Sequence, residues 1–501
     1  MTDGNDSPPA ETSPVSLQEQ AVRGVFWVAL ATGTTRALTF VTYLLLARIL
    51  APREFGVFAV ATIVVNALLI FNDLGLGPAI VQNPGDRDTV ASTALVVIPV
   101  LGAGIAGLSA VSASATARLL GDPGAAGVLR VLSLSIFFSS LAVVPNMLLE
   151  KDLAFRRQVL PQVLPAALFA VTAVLLAART GAGAYSLAVA EVVDSVALAI
   201  GSWMACTWRP RWNFSWATAR QLFRYGKHVL GGGVVLYLAT NMDNAFVSRS
   251  AGQRALGIYV LAYLIANLPA TEIADLAGRV LFPAFVMLDG RPEELRRAYG
   301  RSLTALTLVT LPLFVMLASL ARPLVAAIFG HNWSGMVAPL RILPVFGAFR
   351  VLSGVSGNLF LAVNRPRYIL LTGLVGLSLQ AGLLWLFVVA RHGGALGASV
   401  AVTAAAGLVV WLMATLVGRI VRITWARVLP RVGRLLGAGC LGAAAGLAVA
   451  RSPLPPVAQL ALGVLSVVLV YGAGLFLFGG RADVVEVVEL LRRRGATLRS
   501  S

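Results

Sequence analysis

Lysine is nearly missing from this chain. Lys151 and Lys227 are the only two, so arginine supplies 38 of the 40 basic residues. Neither lysine lies in a GxxxxGKS/T segment, which excludes nucleotide binding through a P-loop. Histidine is almost as scarce: His228, His331 and His392 are far apart and form no metal or nucleophile constellation. The two cysteines, Cys206 and Cys440, sit in or beside separate apolar runs, with no spacing for a metal site or a disulfide framework. Charge is thin as well, at 12% of residues, against about 25% in a soluble domain. No polar loop is long enough to fold as a catalytic domain. These absences point to a mover of molecules rather than an enzyme, with no cofactor and no metal.

What the chain has instead is apolar sequence. Of its 501 residues 58% are hydrophobic, with a mean hydropathy of +0.83. Crossing about 30 Å of hydrocarbon at 1.5 Å per residue takes about 20 residues. Fourteen runs qualify, near 24–49, 55–82, 90–112, 127–149, 159–178, 184–206, 223–248, 256–288, 300–328, 336–362, 367–390, 394–418, 432–450 and 455–479. Pro269 and Pro283 mark the eighth run as a place for a kink or break.

The net charge of +18 does not indicate nucleic acid, because the arginines recur in short loops between apolar runs instead of forming one patch. With the N-terminus placed in the cytoplasm, 26 basic residues fall on the inner side, 11 on the outer side and three inside spans. That bias puts both termini in the cytoplasm. Residues 1–20 are polar and rich in Ser and Pro, without the basic start and apolar centre of a signal peptide.

The chain also repeats itself. LARILAPREFGVFAVATIVVN (Leu46 to Asn66) aligns without a gap to VSRSAGQRALGIYVLAYLIAN (Val247 to Asn267), 201 residues on. Arg48 meets Arg249, Gly56 meets Gly257, Phe58 meets Tyr259, Ala61 meets Ala262 and Asn66 meets Asn267. A second echo pairs VLRVL (Val128 to Leu132) with PLRIL (Pro339 to Leu343), and the helices that follow reach Asn146 and Asn358. Spans one to six therefore match spans seven to twelve, and repeated halves are the mark of a transporter that works through the seam between them. The expected fold is an all-α integral membrane protein of about fourteen transmembrane helices: two pseudo-repeated six-helix bundles plus two extra C-terminal helices. The expected divisions are a disordered cytoplasmic tail over 1–22, lobes over 23–220 and 221–420, helices thirteen and fourteen within 421–480, and a basic cytoplasmic tail over 481–501.

Arg36, Arg279 and Arg350 are the three basic residues inside spans one, eight and ten. A central arginine costs roughly 2.5–3.5 kcal/mol on insertion scales, so such groups face a polar cavity or a partner. Cations from both halves suit an anionic cargo such as a phosphate-linked lipid; the alternative is that each arginine pairs locally and only fixes helix packing. Asp275, four residues before Arg279, has that spacing. Glu191 with Asp194, and Glu272 with Asp275, share helix faces at i,i+3. Asp243, Glu272 and Asp275 are the candidates for proton or sodium coupling, the alternative being hydrated carboxylates near span ends. Asn66, Asn146, Asn241, Asn244, Asn267 and Asn358 read as inter-helix hydrogen bonds before they read as ligands.

Several motifs together resemble a known family. They are AVRGVFW opening span one, LLLARILAPREFGVFA across the first hairpin, and NDLGLGPAIVQ ending span two. PNMLLEKDLAFRR follows span four, FRYGKHVLGGGVVLYLATNMDNAFVSR fills span seven and GRVLFPAF lies in span eight. From Ala21 to Leu379 the chain resembles the polysaccharide-transport branch of the flippase superfamily that also holds multidrug extruders and the peptidoglycan-precursor flippase. The resemblance implies a Wzx-like flippase of polyprenyl-diphosphate-linked oligosaccharides in a bacterial plasma membrane, working by alternating access with a cationic cavity. Arg36 and Arg279 lie where related flippases carry cavity arginines. It further implies membrane lipids and lipid-linked glycan as contacts, with polysaccharide polymerase and glycosyltransferases as partners and no nucleic acid. A cation-coupled antiporter of drugs or metabolites and a peptidoglycan-precursor flippase remain the alternatives.

Overall fold

The computed structural model describes residues 14–72, 86–152, 154–211, 213–423 and 425–478. Asp73 to Gln82, which close the second expected span, and residues 1–13 and 479–501 lie outside the described residues, while 14–22, expected as disordered tail, begin a helix. Among the described residues every regular element is helical. Hydrocarbon offers no partner to a backbone N–H or C=O, so an apolar chain of this kind satisfies its polar backbone within each segment. In order the helices are α1 (Pro14–Ile49), α2 (Pro52–Asn72), α3 (Arg87–Leu119), α4 (Ala125–Lys151), α5 (Phe155–Thr180), α6 (Ala184–Ala205) and α7 (Trp216–Val286). They continue with α8 (Pro292–Ser319), short helical pieces between Ala321 and Met336, α9 (Val337–Ala362), α10 (Arg367–Leu384), α11 (Gly394–Val421), α12 (Trp425–Ala450) and α13 (Pro456–Leu477).

Thirteen helices among the described residues are long and apolar enough to cross a membrane. One of them, the 50-residue stretch Tyr237–Val286, belongs to α7, which is two helices in series. Its helical path breaks at Gly252, with φ 77° and ψ 175°, a region of backbone space essentially reserved for glycine. Counting both limbs of α7 gives the fourteen expected spans. Pro269 and Pro283 do not make the break; both sit within the second limb of α7.

The chain divides into two compact units. The first comprises residues up to Leu50, Ala61–Arg118 and Pro123–Leu238. In it α6 packs on both α4 and α5, and α5 packs on α1. A buried cluster of Val90, Ala91, Ala94, Ile98, Val144, Leu148, Leu149, Cys206 and Trp208 ties α3 to α4 and to the end of α6. Beside it, Asp88 accepts hydrogen bonds from the Trp208 indole at 2.9 Å and from Arg211 at 3.0 Å. Asp86 opens α3 by accepting from the Thr89 hydroxyl and backbone N–H, and these bonds hold its carboxyl below the usual carboxylate range.

The second unit comprises Ala51–Val60, Leu119–Asp122 and everything from Ala239 onward. Here α9 packs on α8 and α11, and α10 packs on α11. The pairings α4 with α6 and α5 with α6 thus recur as α9 with α11 and α10 with α11, as the sequence repeat requires. The additional helices α12 and α13 pack on each other and on α8; Gly439 and Gly446 of α12 lie against Leu311 and Ser319, and the Tyr471 hydroxyl donates to the Leu308 carbonyl at 3.1 Å.

The repeated segments meet inside this second unit. A methyl group added at Gly56 would overlap the Gln253 backbone carbonyl, and one added at Gly257 would overlap the Pro52 carbonyl. Around the crossing, Phe55 stacks edge-on to the fully buried Trp333 at 5.3 Å. The Ser248 hydroxyl donates to the Leu120 carbonyl at 2.8 Å, and Gln253 donates to the Gly121 carbonyl at 3.2 Å.

Candidate functional site

Within the first unit, α1, α5 and α6 line an open cavity of about 430 Å³. From α1 come Thr32, Thr35, Arg36, Thr39 and Tyr43, all on one stripe at helical spacing. From α5 come Gln162 and Phe169 with Pro161 and Pro165, and from α6 come Glu191, Asp194 and Leu198. Glu191 and Asp194 are one turn apart and both only partly exposed. Thr35 fixes α1 to α5 by donating to the Gln162 carbonyl at 3.2 Å. Ser195, next to Asp194, donates back to the Glu191 carbonyl at 2.9 Å and keeps this part of α6 regular.

Arg36 therefore faces a polar cavity, as its position in a span suggests. One guanidinium shares the cavity with two carboxylates, so its formal charge is negative when both are ionised. Sequence reasoning ranked the Glu191–Asp194 pair below the acids of the second half. The polar stripe of Thr32, Thr35, Arg36, Thr39 and Tyr43 was the signal that this face of span one looks into a cavity.

The second unit holds the other sequence candidates. Arg350 on α9 is exposed and donates to Asn267 Oδ1 of α7 at 3.2 Å. Tyr263, one turn before Asn267, stacks on Phe346 of α9 at 5.5 Å. The same two helices stay in contact further along, where Gly347 faces Ala266 and Ala270, Gly354 faces Ala274 and Gly278 faces Asn358. Arg279 follows Gly278 and is exposed, as is Asp275, while Glu272 is partly buried. Asn267, read from sequence as a helix-to-helix hydrogen bond, holds the guanidinium of Arg350.

Asp243 is the third acid that the sequence offered for ion coupling. It is buried, accepts from the Tyr259 hydroxyl at 2.5 Å and accepts from the Asn244 backbone N–H at 2.8 Å. The bond to Tyr259 joins the two limbs of α7 across the Gly252 break. In the first half, Asn146 accepts from Ser202 at 2.9 Å, a link between α4 and α6. Among the described residues no group of three or more His, Cys, Asp and Glu is placed to hold a metal ion.

This architecture has counterparts among solved structures. The fold matches a lipid II flippase in an inward closed conformation with a TM-score of 0.71, over 89% of this chain and 98% of that one, at 15% identity. It matches an inward-facing multidrug resistance transporter of the MATE family, in the MOP superfamily, with a TM-score of 0.62 over 78% of this chain and 96% of that one, at 19% identity. At such identities the likeness concerns the fold alone.

The sequence narrows the class. A family described as polysaccharide biosynthesis protein matches residues 45–338. The chain is 30% identical to the succinoglycan biosynthesis transport protein ExoT of Rhizobium meliloti over 349 residues, 68% of each chain. It is 26% identical to the lipopolysaccharide biosynthesis protein WzxC of Escherichia coli over 357 residues, 70% of this chain and 72% of that one. The chain belongs to this polysaccharide biosynthesis family.

Proposed function

We propose that the protein flips lipid-linked oligosaccharide units, built on a polyprenyl diphosphate, from the cytoplasmic to the outer leaflet by alternating access, for cell-surface polysaccharide synthesis. The observation that carries this reading is family membership, joined to a repeated fourteen-span fold with arginines inside spans of both halves. The relatives are named for polysaccharide biosynthesis and transport, and one matched fold is named as a flippase. The protein is a transporter and not an enzyme, and it is a multi-pass membrane protein. The finer placement is a bacterial inner membrane with both termini in the cytoplasm, supported by the arginine bias of the loops.

In this reading Arg279 and Arg350 do most of the work of attracting the diphosphate. Both are exposed, and Arg350 is oriented by Asn267. Arg36 lines a separate cavity in the first unit, which it shares with two carboxylates. The polyprenyl tail stays in lipid. Proton or sodium coupling falls to the acids Glu272 and Asp275, since Asp243 already holds two hydrogen bonds. Polymerase and glycosyltransferases are the expected partners.

The test is surface glycan display in a strain that depends on this protein. Replacing Arg36, Arg279 or Arg350 with alanine leaves the protein inserted and reduces display, most for Arg279 and Arg350. Full display in all three variants contradicts the mechanism. One observation favours a second reading, a cation-coupled antiporter of small cationic compounds: the acid pair in the first-unit cavity. Raised drug tolerance without any effect on surface glycan would select it.

A further inference from the structure

We propose that the cavity between α1, α5 and α6 binds a sugar ring of the cargo, one that is neutral or carries an amino group, and that it excludes the diphosphate. The inference rests on the transport reading above and assigns a separate subsite within it. At about 430 Å³ the cavity falls in the range of small-molecule sites, roughly 300–1,000 Å³.

Its chemistry sets the ligand class. Among the described residues neither the Glu191 nor the Asp194 carboxylate is engaged by a hydrogen bond or an ion pair; Ser195 binds the Glu191 backbone instead. Ionised carboxylates only accept hydrogen bonds. The hydroxyls of Thr32 and Thr39 and the amide of Gln162 also line the space, and the Thr35 proton is already committed to the Gln162 carbonyl. The walls therefore offer both kinds of partner: the carboxylates only accept, the Arg36 guanidinium only donates, and the hydroxyls and the amide do both, so the ligand must bring donors and acceptors together. A diphosphate brings no donors and carries the wrong sign against two carboxylates and one guanidinium. A pyranose brings several hydroxyls that both donate and accept, with apolar C–H faces for aromatic walls. Tyr43 and Phe169 supply such walls, with ring centroids 6.3 Å apart and planes tilted by 43°.

The titratable and charged groups facing this space are Arg36 and Tyr43 from α1 and Glu191 and Asp194 from α6; α5 contributes Gln162 but no charge. A site built to hydrogen-bond hydroxyls discriminates strongly against a ligand lacking them, because its polar groups are then left unpaired.

Binding to the full-length protein in nanodiscs tests this with two probes: the polyprenyl-diphosphate glycan extracted from the source cells, and sugar-free polyprenyl diphosphate. The wild type prefers the glycosylated lipid by tenfold or more. The double variant Glu191→Gln, Asp194→Asn loses that preference to within about twofold while sugar-free lipid still binds. Thr39→Val, which leaves the charges in place, lowers the preference severalfold and keeps the test valid if the double variant does not fold. Equal binding of both probes to wild type, or an unchanged preference in the variants, overturns the sugar site alone and leaves the transport reading standing. Failure of the glycosylated lipid to bind wild type overturns both. A change confined to sodium binding, with the lipid preference intact, assigns the pair to a cation and overturns the proposal.

Discussion

Gly56 and Gly257, 201 residues apart and equivalent in the repeat, each lie against the backbone carbonyl of the residue that opens the other's segment. Gly56 faces Gln253 and Gly257 faces Pro52, and Pro52 and Gln253 are themselves equivalent positions. A repeat in sequence has become a reciprocal backbone contact, tight enough that neither position admits a side chain. Small residues at such crossings let helix backbones approach closely in a membrane.

Gly56→Ala and Gly257→Ala each remove that approach. Overpacking of a close contact costs typically 1–3 kcal/mol, and because the obstacle here is backbone, each variant falls at about the upper end of that range. Gly104→Ala and Gly107→Ala are the controls, since nothing stands within 4 Å of a methyl at either. Thermal unfolding of the purified variants separates them: both controls melt at or above wild type, and both crossing variants melt well below it.

Gly252→Ala tests the break in α7 by a different cause. No atom lies within 4 Å of a methyl there, so the cost comes from the backbone angles alone, on the order of 1–3 kcal/mol. The same melting assay reads a loss of that size. A neutral result would mean the two limbs do not need the Gly252 conformation.

Asp243 and Tyr259 give a third expectation. Hydrogen bonds to charged groups contribute roughly 1.5–3 kcal/mol, so Tyr259→Phe destabilises by about that much. In an Asp243→Asn background the same change costs less. A double-mutant cycle measures the coupling, and additivity would show that the bond between the limbs contributes nothing.

Arg350 and Asn267 give a functional expectation. Arg350→Ala lowers glycan display by about tenfold or more, as loss of a charge-assisted contact of roughly 1.5–3 kcal/mol implies. Arg350→Lys recovers part of it, because an ammonium keeps the charge without the planar fork. Asn267→Ala falls between Arg350→Lys and wild type, since it disturbs the guanidinium's position and not its charge.

Much of this was legible in the chain. The spans, the repeat and the family came from hydropathy, the offset of 201 and motif order, because hydrocarbon forces long apolar runs into helices. The break in α7 falls in the gap between the seventh and eighth runs, but its cause was not legible: the helix tolerates Pro269 and Pro283, while Gly252 takes a backbone conformation only glycine reaches. The partner of Asp243 was not legible either. Tyr259 is 16 residues away, and no regular helical spacing brings two such residues together; the break does. The acids opposite Arg36 lie on α6, more than 150 residues on in the chain, and only packing through α5 puts them in one cavity.

The most direct measurement of the central claim uses proteoliposomes carrying polyprenyl-diphosphate glycan, with a membrane-impermeant glycosidase reporting which leaflet displays the sugar. Wild-type protein makes the protected inner-leaflet pool accessible, and the Arg279→Ala, Arg350→Ala variant leaves it protected. The same protected fraction with and without wild-type protein would contradict the claim that this chain flips lipid-linked glycan.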